Sequence, residues 1–89
     1  MVTVKYASQL RKDLGREQEQ VRARTMAELL AELSRRHGRS FTSWMPSCRI
    51  FINGSSLANL DGQNTPLTEG DEVVFLTILA GLTLMWAQK

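Results

Sequence analysis

Residues 65–81 read Thr-Pro-Leu-Thr-Glu-Gly-Asp-Glu-Val-Val-Phe-Leu-Thr-Ile-Leu-Ala-Gly, which is a turn, the most apolar strand candidate in the chain and a small-residue exit. Pro66 presets one backbone angle, Gly70 can take the positive φ of a tight turn, and Asp71 can hydrogen-bond locally to close it. Val73 to Leu79 is branched or aromatic apart from Thr77. That pattern suits a buried central strand covered on both sides. Ala80 and Gly81 then carry the backbone away with almost no side-chain bulk, thin enough to enter a narrow site.

Outward from this spine, the N-terminus alternates. Val2, Val4 and Tyr6 share one face against Thr3 and Lys5, a first strand. Ala7 to Arg16 carries Leu10 and Leu14 at helical spacing but is short, and reads as a loop with a helical turn ending at Gly15. Glu17 to Arg24 is polar except for Val21 and Ala23, as expected of a short strand at a sheet edge. Thr25-Met26-Ala27-Glu28 has the spacing of a capping box, so a helix starts here. Met26, Leu29, Leu30 and Leu33 give it one apolar stripe. Arg35 and Arg36 favour its C-terminal end, and Gly38 can supply a left-handed cap after His37.

Arg39 to Ser47 reads as a loop whose aromatics, Phe41 and Trp44, tuck over the edge of the core. Cys48 to Ile52 is a third strand, closed by the turn dipeptide Asn53-Gly54. Leu57 and Leu60 punctuate a further short strand before Asp61-Gly62. One helix and four to five strands make an α+β domain, in which the leucine stripe crosses one face of a mixed sheet. The β-grasp, or ubiquitin-like, arrangement is the natural candidate.

Composition narrows the function classes. At 89 residues, with 43% hydrophobic and 22% charged, one globular domain is expected. A net charge of +2 arises from interspersed acids and bases, so nucleic-acid binding is not implied. The apolar run near the C-terminus is shorter than the roughly 18 to 20 residues of a membrane span, and the N-terminus has no secretion-signal pattern. Cys48 is the only cysteine and His37 the only histidine. A disulfide, a cysteine-based zinc site and a redox pair are therefore excluded within one chain. A reducing, cytoplasmic setting fits. His37 reads as a helix-end or partly buried residue, and Cys48 as a small packed one. No nucleophile and base, carboxylate pair or phosphate loop stands at usable spacing, so a self-contained enzyme is not expected.

The order Ile52-Asn53-Gly54, Leu60-Asp61-Gly62, Thr65-Pro66-Leu67, Gly70-Asp71-Glu72-Val73 and Ala80-Gly81 resembles the MoaD/ThiS family of ubiquitin-like sulfur carriers, in particular its MoaD-like branch. The opening strand followed by Ala7-Ser8-Gln9-Leu10-Arg11 and Gly15 is similar as well. The resemblance implies a carrier with no catalytic pocket and no bound cofactor of its own. A partner adenylating enzyme of the ubiquitin-activating type uses ATP to make an acyl-adenylate at the terminal glycine, and a sulfur donor converts it to a thiocarboxylate. A sulfur-acceptor enzyme then uses the sulfur, in molybdopterin or related cofactor synthesis. Carried over, the adenylation and sulfur-transfer site is Gly81 preceded by Ala80, and the expected partner-binding residues are Phe75, Thr77 and Leu79.

The family's Gly-Gly end is here Ala80-Gly81-Leu82, and the chain runs on through Thr83-Leu84-Met85-Trp86-Ala87-Gln88-Lys89. Residues 1–81 are the expected β-grasp domain and 82–89 an apolar extension. Carrier chemistry then requires a processing protease to cut after Gly81. The alternatives are a ubiquitin-like interaction module that has lost carrier chemistry, and an altered end of the gene. An attached tail also favours self-association, because burying Leu84 and Trp86 removes an exposed apolar patch.

Overall fold

The computed structural model describes residues 1–57, 60 and 62–77. Strand β1 (Val2–Ala7) leads through helix α1 (Ser8–Leu14) into β2 (Gln18–Val21). Helix α2 (Met26–His37) and the short α3 (Arg39–Thr42) follow. A 3-10 turn at Met45–Ser47 opens β3 (Cys48–Ile52), then β4 (Ser55–Ser56), a further 3-10 turn at Gly62–Asn64 and β5 (Glu72–Thr77). The strands form one sheet in the order β2-β1-β5-β3-β4. β5 lies at its centre, parallel to β1 and antiparallel to β3, and β2 and β4 form its edges. The α+β, β-grasp expectation is met.

One face of this sheet carries the core. Val2, Val4 and Tyr6 of β1, Val73 and Phe75 of β5 and Ile52 of β3 are buried with Met26, Leu29 and Leu33 of α2 in a single cluster. The capping expectation holds, since the Thr25 hydroxyl accepts from the Glu28 amide at 3.2 Å. The Glu28 carboxylate reaches back to the Arg24 amide at 2.8 Å, one residue before the capping position. Asn53 and Gly54 both have positive φ, 50° and 88°, as the tight β3-β4 hairpin demands. Asp71 closes the turn before β5 by accepting from the Thr68 amide at 2.8 Å and from Asn53 Nδ2 at 3.0 Å.

Four expectations are corrected. The Ala7 to Arg16 segment is a helix, because Leu10 is fully buried in the core and Gly15, in the left-handed conformation, caps its end onto the Arg11 carbonyl. The Arg39 to Ser47 segment is helical at both ends rather than a loop. Phe41 sits inside the core and not at its edge, 5.4 Å from Phe75 in an edge-on contact. Both corrections share one cause: helices too short to stand alone are held by one buried side chain each. The short strand is Ser55–Ser56, immediately after the turn, and neither Leu57 nor Leu60 belongs to it. Gly38 has φ 59° and ψ −135°, a positive-φ conformation other than the left-handed helical one.

Candidate functional site

Thr77 is the last described residue of β5, and the geometry around it follows from three neighbours. Thr77 is opposite Cys48 on β3, while Leu76 is opposite Ala7 on β1. The Thr77 hydroxyl accepts from the Gln9 amide at 3.1 Å, which fastens the first turn of α1 to the last residue of β5. The segment from Ile78 onward, and with it the expected site residues Leu79, Ala80 and Gly81, lies outside the described residues.

The expected partner-facing residues of β5 are placed differently. Phe75 is fully buried and Thr77 is 5% exposed, both on the core face, so neither offers surface to a partner. Alternation along the strand explains this. Val73, Phe75 and Thr77 point inward, and Val74 and Leu76 point to the opposite face and are half-buried. Val74 and Leu76 are thus not fully buried, as the apolar sequence suggests they would be. Register sets Val74 between Lys5 and Phe51, and Leu76 between Ala7 and Arg49. Phe51, Val74 and Leu76 therefore form a partly exposed apolar strip flanked by Lys5 and Arg49, running toward Thr77.

Cys48 is half-buried, and burial pushes its thiol up to about 11. At neutral pH it is a neutral thiol, a poor nucleophile beside Thr77. Among the described residues no group of three or more His, Cys, Asp or Glu side chains could hold a metal ion. No described helix is long and apolar enough to cross a membrane.

Sequence reasoning missed a polar cluster at the opposite side of the sheet. Glu19 on β2 faces inward with its side chain 6% exposed. One carboxylate oxygen accepts from Arg16 at 3.2 Å and Arg36 at 3.1 Å; the other meets His37 Nε2 at 2.6 Å and accepts from the Tyr6 hydroxyl. Burial resists the charge on Glu19, but the bonds from Tyr6, His37 and Arg36 outweigh it and hold the carboxyl below its ordinary value. Burial, reinforced by the Glu19 carboxylate, raises Tyr6 far above an ordinary phenol. His37 also packs edge-on to Tyr6 at 6.1 Å, which makes it a partly buried residue of this cluster. The signal was present in the period-2 pattern: Glu19 shares a face with the buried Val21. The cluster joins β1, β2 and the end of α2, and its links are all internal.

Comparison with known proteins bears on the whole chain. The ThiS family model matches residues 4–81. No relative matches among the curated proteins. Among solved structures, the fold is similar to small archaeal modifier protein 1 from Methanosarcina acetivorans, with TM-score 0.81 and 22% identity over 90% of this chain and 94% of that one. CysO in the Amycolatopsis orientalis BexX/CysO complex structure is matched at TM-score 0.77 and 19% identity, over 91% of this chain and 99% of that one. A complex of subunits 1 and 2 of molybdopterin-converting factor from Helicobacter pylori gives TM-score 0.68 and 26% identity, covering 88% and 93%.

Proposed function

The chain belongs to the ThiS family of ubiquitin-like sulfur carriers, and from that premise we propose that it carries sulfur at Gly81 after the segment Leu82–Lys89 is removed. The observation that carries this reading is that the family match runs through Gly81, downstream of a central strand whose last described residue, Thr77, is fixed at the sheet end. Hydrolysis of the Gly81–Leu82 peptide bond releases the tail as a peptide with a free amine and leaves a carboxylate on Gly81. That carboxylate attacks the α-phosphate of ATP in a partner adenylating enzyme and expels pyrophosphate. A sulfur nucleophile then displaces AMP to leave the thiocarboxylate. The small residues Ala80 and Gly81 suit this role because the tail must thread into the partner's active site. The chain itself is the substrate of these steps and binds no cofactor.

The strip of Phe51, Val74 and Leu76 supports docking of the adenylating enzyme beside Thr77. It is apolar, flanked by cations and continuous with the strand that feeds the tail. Two structural neighbours are themselves complexes of two proteins. A sulfur-acceptor enzyme, in molybdopterin or related cofactor synthesis, is the second partner of this reading. One observation favours a second reading. Gly81 is followed by Leu82 to Lys89 in the sequence, so an uncleaved chain has no Gly81 carboxylate to activate and acts as a ubiquitin-like interaction module.

Intact mass of the protein from its native cell, with the C-terminal peptide sequenced, tests the choice. A product ending at Gly81, with one oxygen replaced by sulfur, is expected. A chain that keeps Leu82–Lys89 after incubation with native cell extract and ATP overturns carrier use and leaves the interaction module.

A further inference from the structure

The β1-β2 ladder leaves one row of β2 backbone groups unpaired by β1. The Tyr6 amide donates to the Glu17 carbonyl at 2.9 Å, which makes Tyr6 and Glu17 a directly bonded pair. Antiparallel pairing alternates, so Val4 with Glu19 and Val2 with Val21 are bonded pairs as well. The amides and carbonyls of Gln18 and Gln20 then point away from β1, and Arg22 follows directly after the strand. β2 is the last strand on this side, so these backbone groups of Gln18 and Gln20 face solvent. Gln18, Gln20 and Arg22 are exposed. Among the described residues only the Gln20 carbonyl has a partner, Arg36 Nη1 at 3.2 Å, and a carbonyl has a second lone pair to give.

Charge along this edge is biased. The guanidinium groups of Arg16, Arg22, Arg24 and Arg36 stand along or beyond it. The Glu19 carboxylate is shared between Arg16 and Arg36, and Glu17 faces Arg11 at 3.5 Å. Neither Arg22 nor Arg24 has a side-chain hydrogen bond or ion pair among the described residues. Both line a cleft of about 470 Å³ at the end of the edge, whose other walls are Val2, Ala23, Leu67, Thr68 and the ion pair of the Met1 amine with Glu69. An open donor row, two guanidinium groups without a bond among the described residues and a partly apolar cleft therefore lie in continuous order.

We propose that the free edge of β2 binds an extended acidic segment of a partner protein, which adds as a further strand and sets its carboxylates against Arg22 and Arg24. Main-chain bonds to Gln18 and Gln20 supply the pairing, and the arginines supply the preference for acidic side chains. This edge is separated from β3 and β4 by β1 and β5, so it is a different surface from the apolar strip.

The test uses the full chain, labelled with 15N, titrated with an acetylated ten-residue peptide of alternating Val and Asp, and with the same peptide carrying Lys for Asp. Amide shifts and slowed hydrogen exchange at Gln18 and Gln20 are expected with the acidic peptide alone. Affinity is expected to fall about tenfold or more in Arg22→Glu/Arg24→Glu, and to weaken as salt rises. Both side chains are exposed, so an unchanged melting temperature verifies that the variant is folded. Equal binding of the two peptides, shifts confined to Phe51, Val74 and Leu76, or an unchanged affinity in the double variant overturns the proposal. So does dimerisation of the free protein through this edge.

Discussion

Replacing Glu19 with alanine is the perturbation that separates a structural polar cluster from a surface decoration. Its carboxylate is 6% exposed and takes bonds from Tyr6, His37, Arg36 and Arg16. Arg16 is 49% exposed and rehydrates when released, so its link contributes little. Tyr6 is only 3% exposed, and leaving its hydroxyl unpaired costs about 1–3 kcal/mol. His37, at 14% side-chain exposure, loses a short partner as well. The total is about 3 kcal/mol, the lower end of what breaking a buried ionic pair costs. For a domain of this size that lowers the melting temperature by about 12–24 °C.

Glu19→Gln keeps the shape and one acceptor, so its loss should be about half as large, of order 1–2 kcal/mol. The sign of the pH effect follows from the lowered carboxyl. A depressed folded-state value contributes stability that is fully present above the unfolded value, near 4.5, and is lost as pH falls through the folded one. Glu32, held to about 2 by Arg35 and Arg36, and Asp71, lowered by its turn bonds, act in the same direction. Wild type minus Glu19→Gln isolates the Glu19 share. Thermal and urea unfolding followed by circular dichroism between pH 2 and 7 measures both quantities. A Glu19→Ala protein within about 0.5 kcal/mol of wild type, which is the level of an ordinary surface change, or acid slopes that run parallel, would refute the reasoning.

Phe41→Ala should cost about 3–5 kcal/mol in guanidinium unfolding, because the ring is fully buried against Phe75; a change near zero would mean that α3 does not seal the core. Thr25→Ala should lower stability by about 1 kcal/mol through loss of the bond to the Glu28 amide, with Thr25→Asp close to neutral. Cys48 should react with iodoacetamide at pH 8 about 100-fold more slowly than cysteine in an unstructured peptide, its rate still climbing beyond pH 9. Alkylation at the free-peptide rate would show the thiol open to solvent.

The local rules carried much of this fold. Alternation marked β1, the polar run marked β2 as an edge, Thr25 and Glu28 marked the start of α2, and Asn53-Gly54 marked the hairpin, because each is set by sterics or hydrogen bonds within a few residues. The family order of short motifs pointed to the β-grasp fold and to a carrier, and those signals also lie along the chain. Tertiary structure alone decided three matters. It made helices of the segments around Leu10 and Phe41, because only burial of those side chains in a shared core offsets the cost of so few helical residues. It chose the inner face of β5: with apolar residues at Val73 through Leu76 on both faces, only pairing with β1 and β3 assigns Phe75 and Thr77 to the core and Val74 and Leu76 to the open strip. It gathered Tyr6, Glu19, Arg36 and His37 from β1, β2 and α2 into one polar cluster. Contacts between residues so far apart in sequence have no local signature, so the chain's order can state their chemistry but only the packed sheet brings them together.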